Sequence, residues 1–133
     1  MFKAFAEKHE VTLEKVSTFA DGIAVKTPGA LTRKLCCRYV DGIVTVSDDE
    51  IATAILTLME KQKLVAEGAG AAAVAAVLAG KIDLARKKVC AVISGGNIDV
   101  NILSRVINRG LLSSGRVAEL KIAMLDKPGQ LRE

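Results

Sequence analysis

Three short apolar runs, each linked by a short segment to a helix-like stretch, constrain the fold of this chain more than any other feature. The runs cover residues 43–46, 64–66 and 89–93. After the first of them, Ser47 and Glu50 have the spacing of a helix capping box. Strands that alternate with helices through short links indicate an α/β fold, with three α/β/α layers around a mostly parallel sheet.

The first predicted strand leads into a helix that ends near Lys63 and has four apolar residues on one face. These residues are Ile51, Ile55, Leu58 and Met59. The second strand leads into a helix rich in alanine, for which Gly80 is the expected C-cap. Small residues all round this helix predict close packing on both of its sides.

The third predicted strand leads into a helix at residues 100–108, capped by Asn97 or Asp99 and ended by Gly110. Upstream, residues 2–8 and 31–39 are expected to be helical. Three weaker predictions complete the assignment, and they are an irregular segment over 9–30, a short C-terminal strand over 116–125 and a turn after it.

Composition limits the class of protein. With 133 residues, half of them apolar, the chain is long enough for one domain with a modest core. The net charge of +4 is spread along the chain, so nucleic acid is not an expected partner. The longest apolar stretch, residues 69–79, is too short to span a membrane. Three cysteines without metal-ligand spacing predict a reducing, cytoplasmic setting and no metal site.

Two glycine-rich loops follow the second and third predicted strands. Gly68, Gly70 and Ala73 fit a dinucleotide-binding spacing. Against a dinucleotide, Glu67 would repel a pyrophosphate, and Ser94 stands where a ribose-binding acid is expected. Since the carboxyl ends of parallel strands share an edge, both loops could instead line one pocket. The remaining alternative is that the glycines only allow tight turns.

Four ordered motifs resemble a known family. They are ADGIAVKTPG, VDGIVTVSDDEIATAI, VAEGAGAAAVAAVLAGK and VISGGNID. In this order they resemble the later part of the catalytic domain of threonine dehydratase, a pyridoxal-phosphate (PLP) enzyme of fold type II. The resemblance covers residues 1–112 and implies the C-terminal part of that domain. Residues 113–133 resemble a linker followed by the first strand and ligand loop of a truncated ACT regulatory domain.

The resemblance implies a role for each loop in binding the cofactor, pyridoxal 5'-phosphate. Ser94 would form a hydrogen bond with the pyridine nitrogen, and Gly95 and Gly96 would let the backbone approach the ring. Asn97 would stabilise the loop, or else cap the next helix. Glu67 would order hydrogen bonds in the pocket, beside a wall formed by residues 68–70, which include Gly68 and Ala69.

The chain also departs from the family pattern. It has no S-x-K-x-R-G motif, which carries the Schiff-base lysine, and Lys3 does not inherit that role because no serine precedes it and no Arg-Gly follows. The glycine-rich phosphate loop and the substrate carboxylate loop are also missing. We therefore expect a fragment that contains no catalytic residue and is inactive alone.

In the complete enzyme, the resemblance implies the conversion of threonine or serine to a 2-oxo acid and ammonia. The expected partners are an amino-acid substrate and a second copy of the chain in a homo-oligomer. An amino-acid effector such as isoleucine is expected at the ACT-like tail, in isoleucine biosynthesis. Two alternatives stay open, a non-catalytic interaction or amino-acid-sensing module and a dinucleotide-binding α/β domain.

Overall fold

The computed structural model describes residues 1–123, and the regular structure within them is helical. A 3-10 turn forms at Asp21–Ile23, and a π-helical turn at Leu58–Gln62 continues the third helix. The α-helices are α1 (Phe2–Glu7), α2 (Ala30–Tyr39), α3 (Asp48–Thr57), α4 (Gly68–Leu78) and α5 (Val100–Ser113).

The N-terminus of α3 is fixed by its own sequence. The Glu50 amide donates to the Ser47 hydroxyl at 3.2 Å, and the Ser47 amide donates to the Glu50 carboxylate at 2.7 Å. This reciprocal pair is the predicted capping box, which satisfies donors that a helix leaves free in its first turn. At the other end, Lys63 adopts a left-handed conformation after the π-helical turn, where the sequence predicts the helix to end.

α3 is the centre of the core, because it packs against both α4 and α5. Its predicted apolar face is confirmed, since Ile51, Ile55 and Leu58 are buried and Met59 packs against them at the edge of the core. From α5, Val106 completes the cluster. Alanine supplies most of the other buried apolar residues, so the helices approach closely with little side-chain volume between them.

α4 and α5 end in the same way. Gly80 and Gly115 both adopt left-handed backbone conformations, with φ of +62° and +68°. In each case the next residue, Lys81 or Arg116, donates its amide to a carbonyl in the last turn of the helix, which completes a Schellman motif. Gly80 therefore lies one residue beyond the cap at Ala79 and stops α4, as the sequence predicts.

The two cations that follow these glycines hold the helix ends against α3 and its π-helical turn. The Lys81 ammonium lies 2.8 Å from the Glu50 carboxylate, and the Arg116 guanidinium lies 2.7 Å from Glu60. The hydrogen bond from Lys81 lowers the pKa of Glu50 below its ordinary value. At the start of α3, Arg109 of α5 donates to Asp49 at 2.6 Å, and this contact raises the pKa of the guanidinium.

The predicted end of α5 is wrong. The helix does not stop at Gly110 but continues to Ser113. Gly110 is buried at the point where α5 crosses α3, and a Cβ built on it would lie 3.0 Å from the Ala52 carbonyl oxygen. The glycine therefore allows close helix packing and does not end the helix, a distinction that depends on a contact remote in sequence.

Replacement of Gly110 by alanine should destabilise the chain. A Cβ would press on the backbone of α3, and overpacking of this kind costs about 1–3 kcal/mol. Urea unfolding followed by circular dichroism measures the change. Gly42→Ala is the matched control, because a Cβ there meets nothing within 4 Å. A Gly110→Ala variant as stable as Gly42→Ala would contradict the proposed packing contact.

The predicted strands are also wrong within the described part of the chain. Residues 43–46, 64–66, 89–93 and 116–123 have no strand assignment. A strand is defined by ladder hydrogen bonds to a neighbour, and no backbone bond joins residues 43–46 to 89–93 in the described chain. The predicted sheet of three α/β/α layers is therefore not formed by residues 1–123. Residues 124–125 of the last predicted strand, and the turn after it, lie outside the described residues.

Two of these segments line one open cavity of 1110 Å³. Residues 43–46 form one part of its lining and residues 89–92 another, and the cavity extends over Ala72, Ala73 and Ala76 of α4. Many large apolar side chains elsewhere are also exposed, including Leu31 and Leu120. Separately, none of the helices in residues 1–123 has both the length and the apolar character needed to cross a membrane.

Candidate functional site

The two glycine-rich loops of the sequence meet at the N-terminus of α4. Glu67 is the N-cap of this helix, in an extended conformation, and its amide donates to the Gly95 carbonyl at 3.1 Å. This hydrogen bond is consistent with the expectation that the loops after residues 66 and 93 line one pocket. It joins residues 28 positions apart, since 95 − 67 = 28, so the contact is tertiary and not a local turn.

Backbone packing makes the contact between the loops close. A Cβ added at Gly70 would collide with the Gly95 carbonyl oxygen and would lie 2.9 Å from its nitrogen. A Cβ at Gly95 would collide with the Glu67 carboxylate, and a Cβ at Gly96 would lie 2.7 Å from the Val65 carbonyl oxygen. Gly70 and Gly96 therefore do more than permit turns, because a Cβ at either position would meet backbone atoms of the facing segment, whereas the Glu67 carboxylate beside Gly95 is the end of a flexible side chain.

A third segment, which lies within the irregular stretch predicted over residues 9–30, closes the far side of α4. The 3-10 turn Asp21–Ile23 packs on α4, and a Cβ at Gly22 would lie 3.1 Å from Ala69. Before this turn, Phe19 and Ala20 cover Gly68 so closely that a Cβ on Gly68 would approach both within 3.0 Å. In the sequence, the Asp21-Gly22 pair is a signal for a turn at this place. It carries no information about the contact of this turn with α4, because that contact joins residues far apart in the chain.

The side chains of the second loop are open to solvent. Ser94 is exposed, and its hydroxyl forms no hydrogen bond with another residue in the described range 1–123. Asp99, and not Asn97, is the cap of α5, since its carboxylate accepts from the Asn101 amide at 2.7 Å. Asn97 is exposed and does not supply that cap.

The site thus combines an exposed hydroxyl, a half-buried carboxylate and a backbone surface without side chains. Ser94 provides the hydroxyl, Glu67 the carboxylate, and Gly95 and Gly96 the bare backbone. Such a surface accommodates a flat group at short distance, with one hydrogen-bonding side chain at its edge. The seven predicted residues therefore form two continuous stretches, 67–69 and 94–97, and the backbone hydrogen bond from Glu67 to Gly95 joins them.

The sequence places this chain in a known family. The family described as "Pyridoxal-phosphate dependent enzyme" matches residues 1–95, which include Glu67, Gly68, Ala69 and Ser94. The chain belongs to this family, whose members depend on pyridoxal phosphate. Residues 96 and 97 lie just beyond the matched range.

Named relatives make the similarity more specific. The chain is 56% identical over 121 residues to an L-threonine ammonia-lyase of Thermotoga maritima, covering 91% of this chain and 30% of that protein. It is 50% identical over 115 residues to an L-threonine ammonia-lyase of Geobacter sulfurreducens, covering 86% and 28%. The chain therefore spans about 30% of the length of these curated relatives.

A solved structure supports the fold. Threonine deaminase isoform 2 of Solanum lycopersicum aligns with a TM-score of 0.71 and 33% identity, over 81% of this chain and 32% of that one. The described helices thus reproduce part of an α/β enzyme of the PLP-dependent class, although residues 1–123 themselves contain no strand.

The residues present fit the cofactor of this family at one side of its ring. Along residues 94–96 only Ser94 carries a side chain, so neither Gly95 nor Gly96 places one between this loop and a planar ring. The Ser94 hydroxyl is open at the edge of that loop and can donate one hydrogen bond to a ring nitrogen.

Proposed function

We propose that this chain forms one wall of a PLP-dependent active site in an enzyme that converts threonine, or serine, to a 2-oxo acid and ammonia. The observation that carries the proposal is the backbone contact of Gly95 with Glu67 and Gly70. It holds an open serine beside a glycine surface, and the names of the relatives support the reaction. A dinucleotide is not favoured, because Glu67, the N-cap residue, places a carboxylate at the start of the helix that would receive the pyrophosphate.

Ser94 would set the electronic character of the site. When bound, the cofactor supplies a pyridine ring that withdraws electrons from the amino acid attached to it. A serine hydroxyl donates a hydrogen bond to the ring nitrogen but carries no charge, so it does not hold a proton there as a carboxylate would. The withdrawal is then moderate, which favours loss of the β-hydroxyl over side reactions such as transamination.

The other site residues would shape the pocket. Glu67 would order hydrogen bonds in the pocket through its carboxylate, while its amide donates to the Gly95 carbonyl. Gly68 and Ala69 form the first turn of α4 and build the wall beside the ring. Asn97, which does not cap α5, would stabilise the serine loop from the open side.

The remaining features of the proposed enzyme concern its larger assembly. Residues 43–46 and 89–92 would join a mostly parallel sheet of three α/β/α layers, and their unpaired backbone around one cavity supports this arrangement. The exposed apolar side chains support a homo-oligomer. We further propose a cytoplasmic enzyme with an ACT-like regulatory segment over 113–133 that binds an amino-acid effector, as in isoleucine biosynthesis.

A segment exchange tests this function. The matching 121-residue segment of the Thermotoga maritima relative would be replaced by that of this chain. We expect the chimaera to release ammonia from threonine. In the chimaera, Ser94→Ala should lower kcat or cofactor affinity by about 5- to 150-fold, since loss of a hydrogen bond to a buried acceptor costs about 1–3 kcal/mol.

The control for this experiment is Ser104→Ala. Ser104 is an exposed residue of α5 that is not one of the predicted site residues, so its hydroxyl should not influence turnover. A folded chimaera without ammonia release would contradict the proposed function. If the Ser94→Ala chimaera keeps its kcat and its cofactor affinity, the loop of residues 94–97 does not contact the cofactor and only connects the preceding segment to α5.

The 133-residue chain alone should be inactive. It lacks the S-x-K-x-R-G motif of the Schiff-base lysine, so it has no nucleophile for the aldehyde of the cofactor in the expected position. We expect no threonine-dependent ammonia release above a blank. Borohydride reduction in the presence of pyridoxal phosphate, followed by peptide mass mapping, should find no specifically labelled lysine, and a single labelled lysine would overturn this expectation.

A further inference from the structure

A second cavity, of 430 Å³, lies on the side of α5 that faces residues 18–21. Phe19, Ile102 and Val106 form its apolar lining. Asp21 and Arg105 also line it, and both side chains belong to exposed residues. The cavity volume lies in the range of about 300–1,000 Å³ that is usual for small-molecule sites. With Arg109, its lining therefore combines one acid, two arginines and an apolar surface.

The charged side chains that line this cavity differ in whether other residues of the chain already bind them. Arg109, the other arginine at the cavity, is engaged by Asp49 and Asp48 at the start of α3. By contrast, Arg105 forms no ion pair or hydrogen bond with any residue in the described part of the chain. Asp21 accepts one hydrogen bond through a single oxygen, from the Gly22 amide at 2.9 Å. A ligand could therefore reach the Arg105 guanidinium and the second oxygen of Asp21.

We propose that this cavity binds an apolar α-amino acid in its zwitterionic form. The α-carboxylate pairs with Arg105, whose planar fork suits a carboxylate, and the α-ammonium pairs with Asp21. The hydrocarbon side chain lies against Phe19, Ile102 and Val106. A simple carboxylate or a simple amine would leave one of the two charged groups without a partner, so the zwitterion is the favoured ligand.

This cavity is separate from the serine loop but is connected with it through one turn. Asp21 begins the 3-10 turn, and the next residue, Gly22, contacts Ala69 at the first turn of α4. A Cβ at Gly22 would also lie 3.9 Å from the Glu67 carboxylate. A ligand held by Asp21 therefore restrains the turn that supports the rear of the proposed active site, and its occupancy should be sensed there.

Titration of the 133-residue chain with L-leucine, followed by amide chemical shifts in NMR, tests the inference. We expect saturable shifts at Gly22, Ala69 and the 102–106 stretch of α5. Arg105→Gln and Asp21→Asn should each weaken binding about tenfold or more, as expected for loss of a charge-assisted hydrogen bond. 4-Methylpentanoate and 3-methylbutylamine, which each lack one charge, should bind at least as weakly to the unmodified chain.

Two control variants make the outcome decisive. Arg38→Gln changes an exposed arginine of α2 and should leave leucine binding unchanged. Ser94→Ala should also leave it unchanged, because the serine belongs to the other site. The inference is overturned if leucine causes no saturable shifts, or if Arg105→Gln and Asp21→Asn bind it as well as the unmodified chain. It is also overturned if Ser94→Ala abolishes the shifts, which would assign leucine to the proposed active site.

Discussion

Replacement of Gly70 by alanine is expected to destabilise the chain, although alanine normally favours a helix. In an ordinary helix interior, glycine to alanine stabilises by roughly 0.5–1 kcal/mol. Here the new Cβ would collide with the backbone of Gly95, which cannot turn away as a side chain can. Backbone displacement of this kind costs about 1–3 kcal/mol, so the net change should be unfavourable.

The displacement should also be visible at the site itself. The amide resonances of Gly95 and Gly96 should shift strongly in Gly70→Ala, and the Glu67 amide should exchange faster because its bond to the Gly95 carbonyl is lost. Gly42→Ala serves again as the control for a glycine with open space around it. If Gly70→Ala is more stable than the unmodified chain and these amides do not move, the two loops do not touch in solution.

Replacement of Ile55 by alanine should have the largest effect on stability. Ile55 is the largest fully buried side chain of the described residues, and it lies in the core cluster of α3, α4 and α5. Isoleucine to alanine at a buried site costs about 2–5 kcal/mol. Because alanines make up most of this core, few large neighbours are present to move into the space that is left.

Thermal and urea unfolding measure this loss. Leu112→Ala is a suitable control, because it removes an apolar side chain that is 43% exposed on α5 and should cost much less. We expect Ile55→Ala to have a lower urea midpoint or to lose its cooperative transition altogether. Equal midpoints for the two variants would show that α3 is not the centre of the folded core.

The sequence predicts the helices well where their signals are local. Ser47 and Glu50 are three residues apart, and their reciprocal hydrogen bonds need no other part of the chain. Gly80 ends α4 through its own left-handed conformation. Strands depend on a neighbour, and residues 43–46 and 89–93 are not hydrogen-bonded to each other. Their apolar character predicts burial in a sheet, but within residues 1–123 no backbone hydrogen bonds join these two segments.

The site was predictable only in part for the same reason. The motif resemblance identifies Glu67 and Ser94 as members of two loops, and the structure joins these loops through the Gly95 carbonyl. The role of Gly110 was misassigned, because its contact with Ala52 lies 58 positions away, since 110 − 52 = 58. Spacing along the chain carries no information about a contact of this kind.

The two loops contact each other through main-chain atoms and glycines. A contact of this kind limits which positions of the site can change during evolution. Position 70 should keep its glycine, because a side chain there requires the backbone at position 95 to retreat. The exposed positions 94 and 97 carry no such restriction. Natural variation can therefore exchange the group that we propose beside the cofactor ring, and so the chemistry, while the backbone that holds it stays the same.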